Sequence, residues 1–225
     1  RADGLIQLDH SFPFSEQDAH LVDHLPVISI CERIEGDKKY PVIELDNYAA
    51  ARAVTHHLIS YGHRSFGIIA GQISSQIHND RLAGIKSVLA EEGIVFDETM
   101  LVGGSYKIET GIEGVQQLLS RAQPPTAIIC FNDDIAIGAL FAIKQHGLKV
   151  PQHISVTGFD NIRVAAYMDP PLTTVDQPAY QMGRRAVEVL IQQINRQPLT
   201  RTREILPFSL LERQSTGPVF MPHQH

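Results

Sequence analysis

The chain has 225 residues, of which 43% are apolar and 20% charged, and its formal net charge is −6. That length supports one large or two modest domains with a real core. No apolar run approaches the ~18 residues of a membrane span, and the acidic balance argues against this chain by itself gripping a phosphate backbone.

The chain opens on Arg1-Ala2-Asp3-Gly4 and runs straight into a strand-like segment at 5–8 (LIQL), with no signal peptide. This abrupt start reads as a fragment with sequence missing upstream. A loop is expected at 12–16 and a short helix over 17–24. A second strand follows at 26–31 (PVISIC), then a charged, exposed segment at 32–39 and a third strand at 41–45 (PVIEL). Asp46 or Asn47 can cap the next helix. That helix, 48–61, carries Ala50, Ala51, Val54, Leu58 and Ile59 at helical spacing and stops at Gly62. A strand at 65–70 (SFGIIA) is closed by Gly71, and 72–80 reads as a polar loop. A helix over 81–92 presents Leu82, Ile85, Val88 and Leu89 and stops at Gly93.

A strand at 100–102 leads to Gly103-Gly104-Ser105-Tyr106. The helix at 109–122 has Ile112, Val115, Leu118 and Leu119 on one face and is broken by Pro124-Pro125. A strand at 126–131 (TAIICF) ends at Asn132-Asp133-Asp134, and a helix over 135–146 ends at Gly147. The next strand, 154–157, rises to Gly158 and is followed by Phe159-Asp160. After the Asp169-Pro170-Pro171 corner come a strand at 172–175 and the exit Asp176-Gln177-Pro178. A helix over 179–195 and strands at 203–207 and 208–211 close the chain, and its His-rich end reads as a tail.

Strand and helix alternate throughout, and the strands are nearly continuous in apolar residues. This pattern predicts an α/β fold with parallel sheets flanked by helices. Four loops on one sheet edge carry Ser74-Ser75, Tyr106, Asn132-Asp133 and Asp160, and would form a ligand-binding wall. Pro-marked extended segments suggest two lobes, one from 1–45 plus 178–205 and one from 46–177 plus 206–217, with 218–225 as tail. Three crossings between lobes would make a hinged clamshell.

The candidate chemistry lies in those loops. Arg81 would open its helix and could fork onto two hydroxyls or a carboxylate, or be structural. Tyr106 could stack on a sugar face or a base, or simply pack in its loop. In Asn132-Asp133-Asp134 at least one acid reads as an N-cap, and Asn132 as the better ligand candidate. Asp160 could hold a polar ligand or merely start a turn. His56 and His57 are adjacent and share no helix face, so they make a poor metal pair. His63, at a helix end, is explained by the helix dipole. There is no GxSxG, no Cys placed with a His partner, no GxxxxGK[ST] and no GxGxxG. Neither catalysis, a metal nor a cofactor is expected. Cys31 and Cys130 sit in apolar runs and read as free thiols of a cytoplasmic protein. The polar groups look like those that hold a neutral polyhydroxylated molecule.

Several motifs together resemble the effector-binding core of the LacI/GalR transcriptional repressors. They are Asp46-Asn47, Gly62-His63-Arg64, Ile69-Ala70-Gly71, Arg81-Leu82-Ala83-Gly84, Pro124-Pro125-Thr126-Ala127, Asn132-Asp133 with Ala136-Ile137-Gly138-Ala139, Gly147-Leu148-Lys149-Val150-Pro151, Gly158-Phe159-Asp160-Asn161, and Pro170-Pro171-Leu172-Thr173-Thr174 with Gln177-Pro178. Gln116-Gln117-Leu118-Leu119 and Asp169-Pro170-Pro171 add a likeness to the cytidine-responsive members. The resemblance implies a two-lobed periplasmic-binding-protein-like fold, a homodimer, and operator DNA met through a helix-turn-helix upstream. It also implies that the first elements of the N-terminal lobe lie before Arg1, leaving that lobe incomplete here. Its pocket contacts carry over to Ser75, Ile77, Arg81, Tyr106, Asn132, Asp160 and Gln177. Ser75 and Ile77 stand where purine-binding members have a cationic or threonine contact, so a nucleoside such as cytidine is expected first and a sugar next. The alternative is a periplasmic solute-binding protein of the same fold, which an upstream signal peptide would reveal.

Overall fold

A strand buried at every position sits in a sheet covered on both faces. In the computed structural model, which describes residues 2–8, 24–34 and 40–219, β2 (Val27–Ile30), β3 (Val42–Leu45), β4 (Phe66–Ala70) and β6 (Ala127–Cys130) are buried at every position. The loop expected at 12–16, nearly all of the helix expected over 17–24, and residues 220–225 lie outside the described residues. The chain divides into two compact units. One comprises Arg1–Asp46, Ser75–Ile77 and Pro178–Phe208, and the other Asn47–Ser74, His78–Gln177 and Ser209–His225.

The first unit is a parallel sheet in the order β1-β2-β3-β9, with β1 at Leu5–Gln7 and β9 at Arg203–Leu206. The last long helix, Ala179–Ile194, sets Met182, Ala186 and Val189 against Ile28, Ile30 and Ile43. Their spacing of four and three residues places them on one helical face. Glu44 on β3 is buried too. Arg33 reaches one of its oxygens at 3.0 Å and Arg203 pairs with the same oxygen. A buried carboxylate persists when it is paired in this way.

The second unit is a sheet in the order β10-β8-β7-β6-β4-β5. Here β5 is Leu101–Gly103, β7 Ser155–Asp160, β8 Thr173–Asp176 and β10 Ser209–Leu211, the last running antiparallel to β8. The other five strands are parallel, so their carboxyl ends share one edge. Four helices belong with this sheet: α1 (Asn47–Ser60), α2 (Gln76–Glu91, from His78 on), α3 (Ile108–Leu119) and α4 (Asp133–Gln145). The helix of the first unit is then α5. Gly62 closes α1 with φ +87°, the left-handed conformation that glycine adopts most readily.

Three local expectations are corrected. Residues 76–80 are not loop: α2 starts at Gln76. His78, Arg81, Ile85, Val88 and Leu89 are all buried, at spacings of three and four residues with one adjacent pair. The face is helical, but its first turns bury polar side chains, which disguised it. Next, β7 continues past Gly158 to Asp160, because β8 pairs with it that far. Finally, His63 owes its place to hydrogen bonds rather than to a helix dipole. It is 2% exposed, with Nδ1 3.0 Å from Thr126 Oγ1 and Nε2 3.0 Å from both Ser155 Oγ and the Gly217 carbonyl. It thereby anchors the segment after β10. Ser215 exchanges bonds with Val156 in the same segment, and the Val219 amide donates to Tyr61.

Burial holds the imidazoles of His57 and His63 below the usual pKa. The unfolded chain therefore takes up these protons first as pH falls. Their contribution to stability is intact above ~6.5 and shrinks progressively below it. His63→Ala should lower the melting temperature at pH 7.5 by ~3–8 °C, as expected when buried hydrogen-bond partners are orphaned. The gap to the unsubstituted chain should narrow at pH 5.5. A calorimetric gap that stays constant with pH would contradict this account.

Candidate functional site

The carboxyl edge of the second unit's sheet is organised by Arg81. This residue lies on the second turn of α2, not at its start, and is 4% exposed. Its Nε donates to Asn47 Oδ1 at 2.9 Å, and its Nη1 donates to the Phe131 carbonyl at the end of β6. The guanidinium lies over the Phe159 ring, 3.3 Å from its centre. A planar cation stacked on an aromatic face and fixed by two oxygens is held in one orientation.

Asp160 is next to Phe159 and ends β7. Its φ is +110° and that of Asn161 is +54°, both in the left-handed region that costs non-glycine residues energy. Among the described residues, none donates a hydrogen bond to its carboxylate. Burial pushes its pKa up to about 7; the Arg81 charge works against that shift, and the charges of Asp133 and Asp134 add to it. Asn161, by contrast, is fully engaged. It donates to Asp176 at 2.7 Å and accepts from Arg213 at 2.7 Å. The turn reading of this stretch therefore fits Asn161, while Asp160 presents an unused acceptor.

Tyr106 packs its ring against Gly71. A Cβ on Gly71 would sit 2.2 Å from that ring, so only glycine admits it there. Asn132 is the N-cap of α4, accepting from the Ile135 amide at 2.9 Å, and its Nδ2 donates to the Tyr106 carbonyl at 3.4 Å. The cap is thus Asn132 rather than one of the acids, because α4 starts two residues earlier than the sequence pattern suggested. Arg81, Tyr106, Asn132 and Asp160 all belong to this one edge. Gln177, half-buried, follows β8 on the same unit.

Ser75 and Ile77 group instead with the first unit. Ser75 is fully buried and its hydroxyl donates to Glu32. Glu32 is 8% exposed, which corrects the exposed reading of residue 32; the charge pattern around it gave no sign of so distant a partner. Two further residues are engaged in ways that their sequence context does not show. Asn47 was visible only as a possible cap. Asp133 is fully buried and accepts from Thr174 Oγ1 at 2.7 Å and from the Ile162 amide at 2.8 Å. Burial pushes its pKa up to about 6, against the pull of those donors and of the Phe159 amide. The arrangement offers a fixed cationic fork, an open carboxyl group and an aromatic ring, which suits binding of a hydroxylated ring compound.

The sequence profile of the periplasmic binding protein-like domain family matches residues 55–216. The chain is 36% identical over 216 residues to the HTH-type transcriptional repressor CytR of Escherichia coli K12, covering 95% of this chain and 62% of the relative. It is 36% identical over 197 residues to the ribose operon repressor of Haemophilus influenzae, covering 86% and 58%. Among solved structures, the transcription regulator CcpA of Lactococcus lactis superposes with a TM-score of 0.86 at 28% identity, covering 95% of this chain and 78% of that one. The chain therefore spans about 60% of the length of the two repressors it matches.

Because its folded-state pKa is raised, the Asp160 contribution to stability is present at low pH and lost as pH rises through about 7. Asp160→Asn should therefore melt ~2–6 °C higher than the unsubstituted chain at pH 8 and within about 1 °C of it at pH 4. A destabilised variant at pH 8 would show that the carboxylate is a structural ion.

Proposed function

This chain belongs to the periplasmic binding protein-like domain family as a LacI/GalR effector-binding core, and from that premise we propose that it senses a small nucleoside or sugar for a transcriptional repressor. Cytidine is the favoured effector and a simple sugar the next. The observation that carries this reading is the Arg81–Asp160 pair: a guanidinium fixed by Asn47, Phe131 and Phe159 beside a carboxyl group that no described side chain or amide engages. A donor fork beside an acceptor matches adjacent hydroxyls on a pentose. Tyr106 and Gln177 complete the ligand contacts on the second unit. The name of the ribose operon repressor supports a pentose-containing effector.

In this reading the effector is coupled to operator DNA through a helix-turn-helix of the whole protein. The coupling requires two states that differ in affinity for both ligands. The relatives are repressors, and the chain acts by binding rather than by catalysis. None of the described helices is long and apolar enough to cross a membrane. Assembly as a homodimer belongs to the same proposal. Tyr167, 80% exposed, is one of the large apolar side chains of the second unit that a second copy could cover.

Two measurements test this. In a thermal-shift panel, cytidine should raise the melting temperature more than hexoses do, and Asp160→Ala should abolish the response while still folding; equal shifts for nucleosides and hexoses would sink the nucleoside assignment. In light scattering at ~10 μM, the chain should have twice its monomer mass and Tyr167→Glu should halve it, an interface anchor of this size being worth ~2 kcal/mol or more. An unchanged mass would remove Tyr167 from the interface.

A further inference from the structure

We propose that Asp133 is a positioning residue: it holds the 158–162 turn, and with it the Asp160 carboxylate, in the conformation that meets a ligand, and it ties that turn to β8. The inference rests on the effector-binding reading of Asp160.

Asp133 is the first residue of α4 and is fully buried, yet it is not the helix cap. Its two oxygens face different elements. Oδ2 accepts from the Ile162 amide at 2.8 Å, and Oδ1 accepts from Thr174 Oγ1 at 2.7 Å. Gly158 makes room for this. A Cβ there would lie 2.2 Å from Asp133 Oδ1, so any other residue would displace the carboxylate. The chain thus passes Asp133 at Gly158, two residues before Asp160, and is bonded to it at Ile162, two residues after.

Between those points lie Asp160 and Asn161, both with positive φ. Backbone in this region relaxes unless its surroundings over-determine it. Asn161 is held through its side chain by Asp176 and Arg213, and its amide donates to Thr174 Oγ1 at 3.4 Å. Asp133 holds the same turn from the inside. Thr174, its other partner, stands on β8, which ends one residue before Gln177, where the chain leaves the second unit. One buried carboxylate therefore links the turn that carries Asp160 to the strand that leads out of the unit. Asp133 bonds to the Phe159 and Ile162 amides and to the β8 hydroxyl of Thr174.

The test uses Asp133→Asn and Thr174→Val in the 225-residue chain. Asp133→Asn keeps the shape but loses one acceptor. Thr174→Val keeps the charge and volume but loses the hydroxyl, which also accepts from the Asn161 amide at 3.4 Å, so in this variant the diagnostic amide is that of Ile162, held by Asp133. Amide hydrogen exchange at 159–162 should accelerate about ten-fold or more in both, while amides of β4 and β6 keep their rates. The calorimetric Kd for cytidine should weaken by about ten-fold or more in both, as expected when a ligand group is displaced from its productive position. Unchanged exchange at 159–162, or equal acceleration across every strand, overturns the proposal, the second pattern marking Asp133 as a general core stabiliser. Local acceleration with an unchanged cytidine Kd overturns it as well. If the unsubstituted chain takes up no cytidine, the nucleoside assignment fails separately, and the exchange pattern still decides whether Asp133 holds the turn.

Discussion

A guanidinium taken out of water must find fixed oxygens, or the element that carries it will not stay buried. Arg81 finds them on Asn47 and Phe131 and lays its plane on Phe159. Those three partners come from the start of α1, the end of β6 and the end of β7. The carboxyl edge of the second sheet is therefore assembled around one cation. Its position also sets the electrostatics of Asp160, since it is the only cation among the described residues that acts on that carboxyl group.

The two units treat an acid on their sheets in opposite ways, one buried and one half-buried. In the first, Glu44 is paired with Arg33 and Arg203. In the second, Asp160 is left without a hydrogen-bond donor among the described residues, on strained backbone and with its pKa pushed up to about 7. A paired acid serves the fold, while an unpaired one costs stability that the apolar strands around it offset. Such local conflict with good folding rules is expected where a chain meets a ligand. Asp133 lies between these cases: buried and satisfied, but satisfied by the turn that carries Asp160.

Much of the fold was legible in the residues. The strands announced themselves as short apolar runs, and the helices over 48–61 and 179–195 by the spacing of Ala50, Val54 and Leu58 and of Met182, Ala186 and Val189. The start of α2 was missed because His78 and Arg81, both polar, occupy its buried face. The cap of α4 was misplaced onto the acids because three polar residues in a row offer three candidates. Glu32 read as solvated because its neighbours in sequence are charged. His63 read as a helix-end histidine because its partners Ser155 and Gly217 are 92 and 154 residues away.

By itself, the sequence determined the alternation of strand and helix, the family, and which residue types stand at the strand ends. These follow from local periodicity, from glycine and proline punctuation, and from motifs a few residues long. The tertiary structure decided which of those polar groups are already engaged. Asp133 meets Thr174 across 41 residues, Ser75 meets Glu32 across 43, and Arg81 meets Phe131 across 50. A hydrogen bond depends on distance in space, and the chain order of its partners carries no record of that distance. Only the fold could show that Asn132 caps a helix, that Asn161 is tied down, and that Asp160 is not.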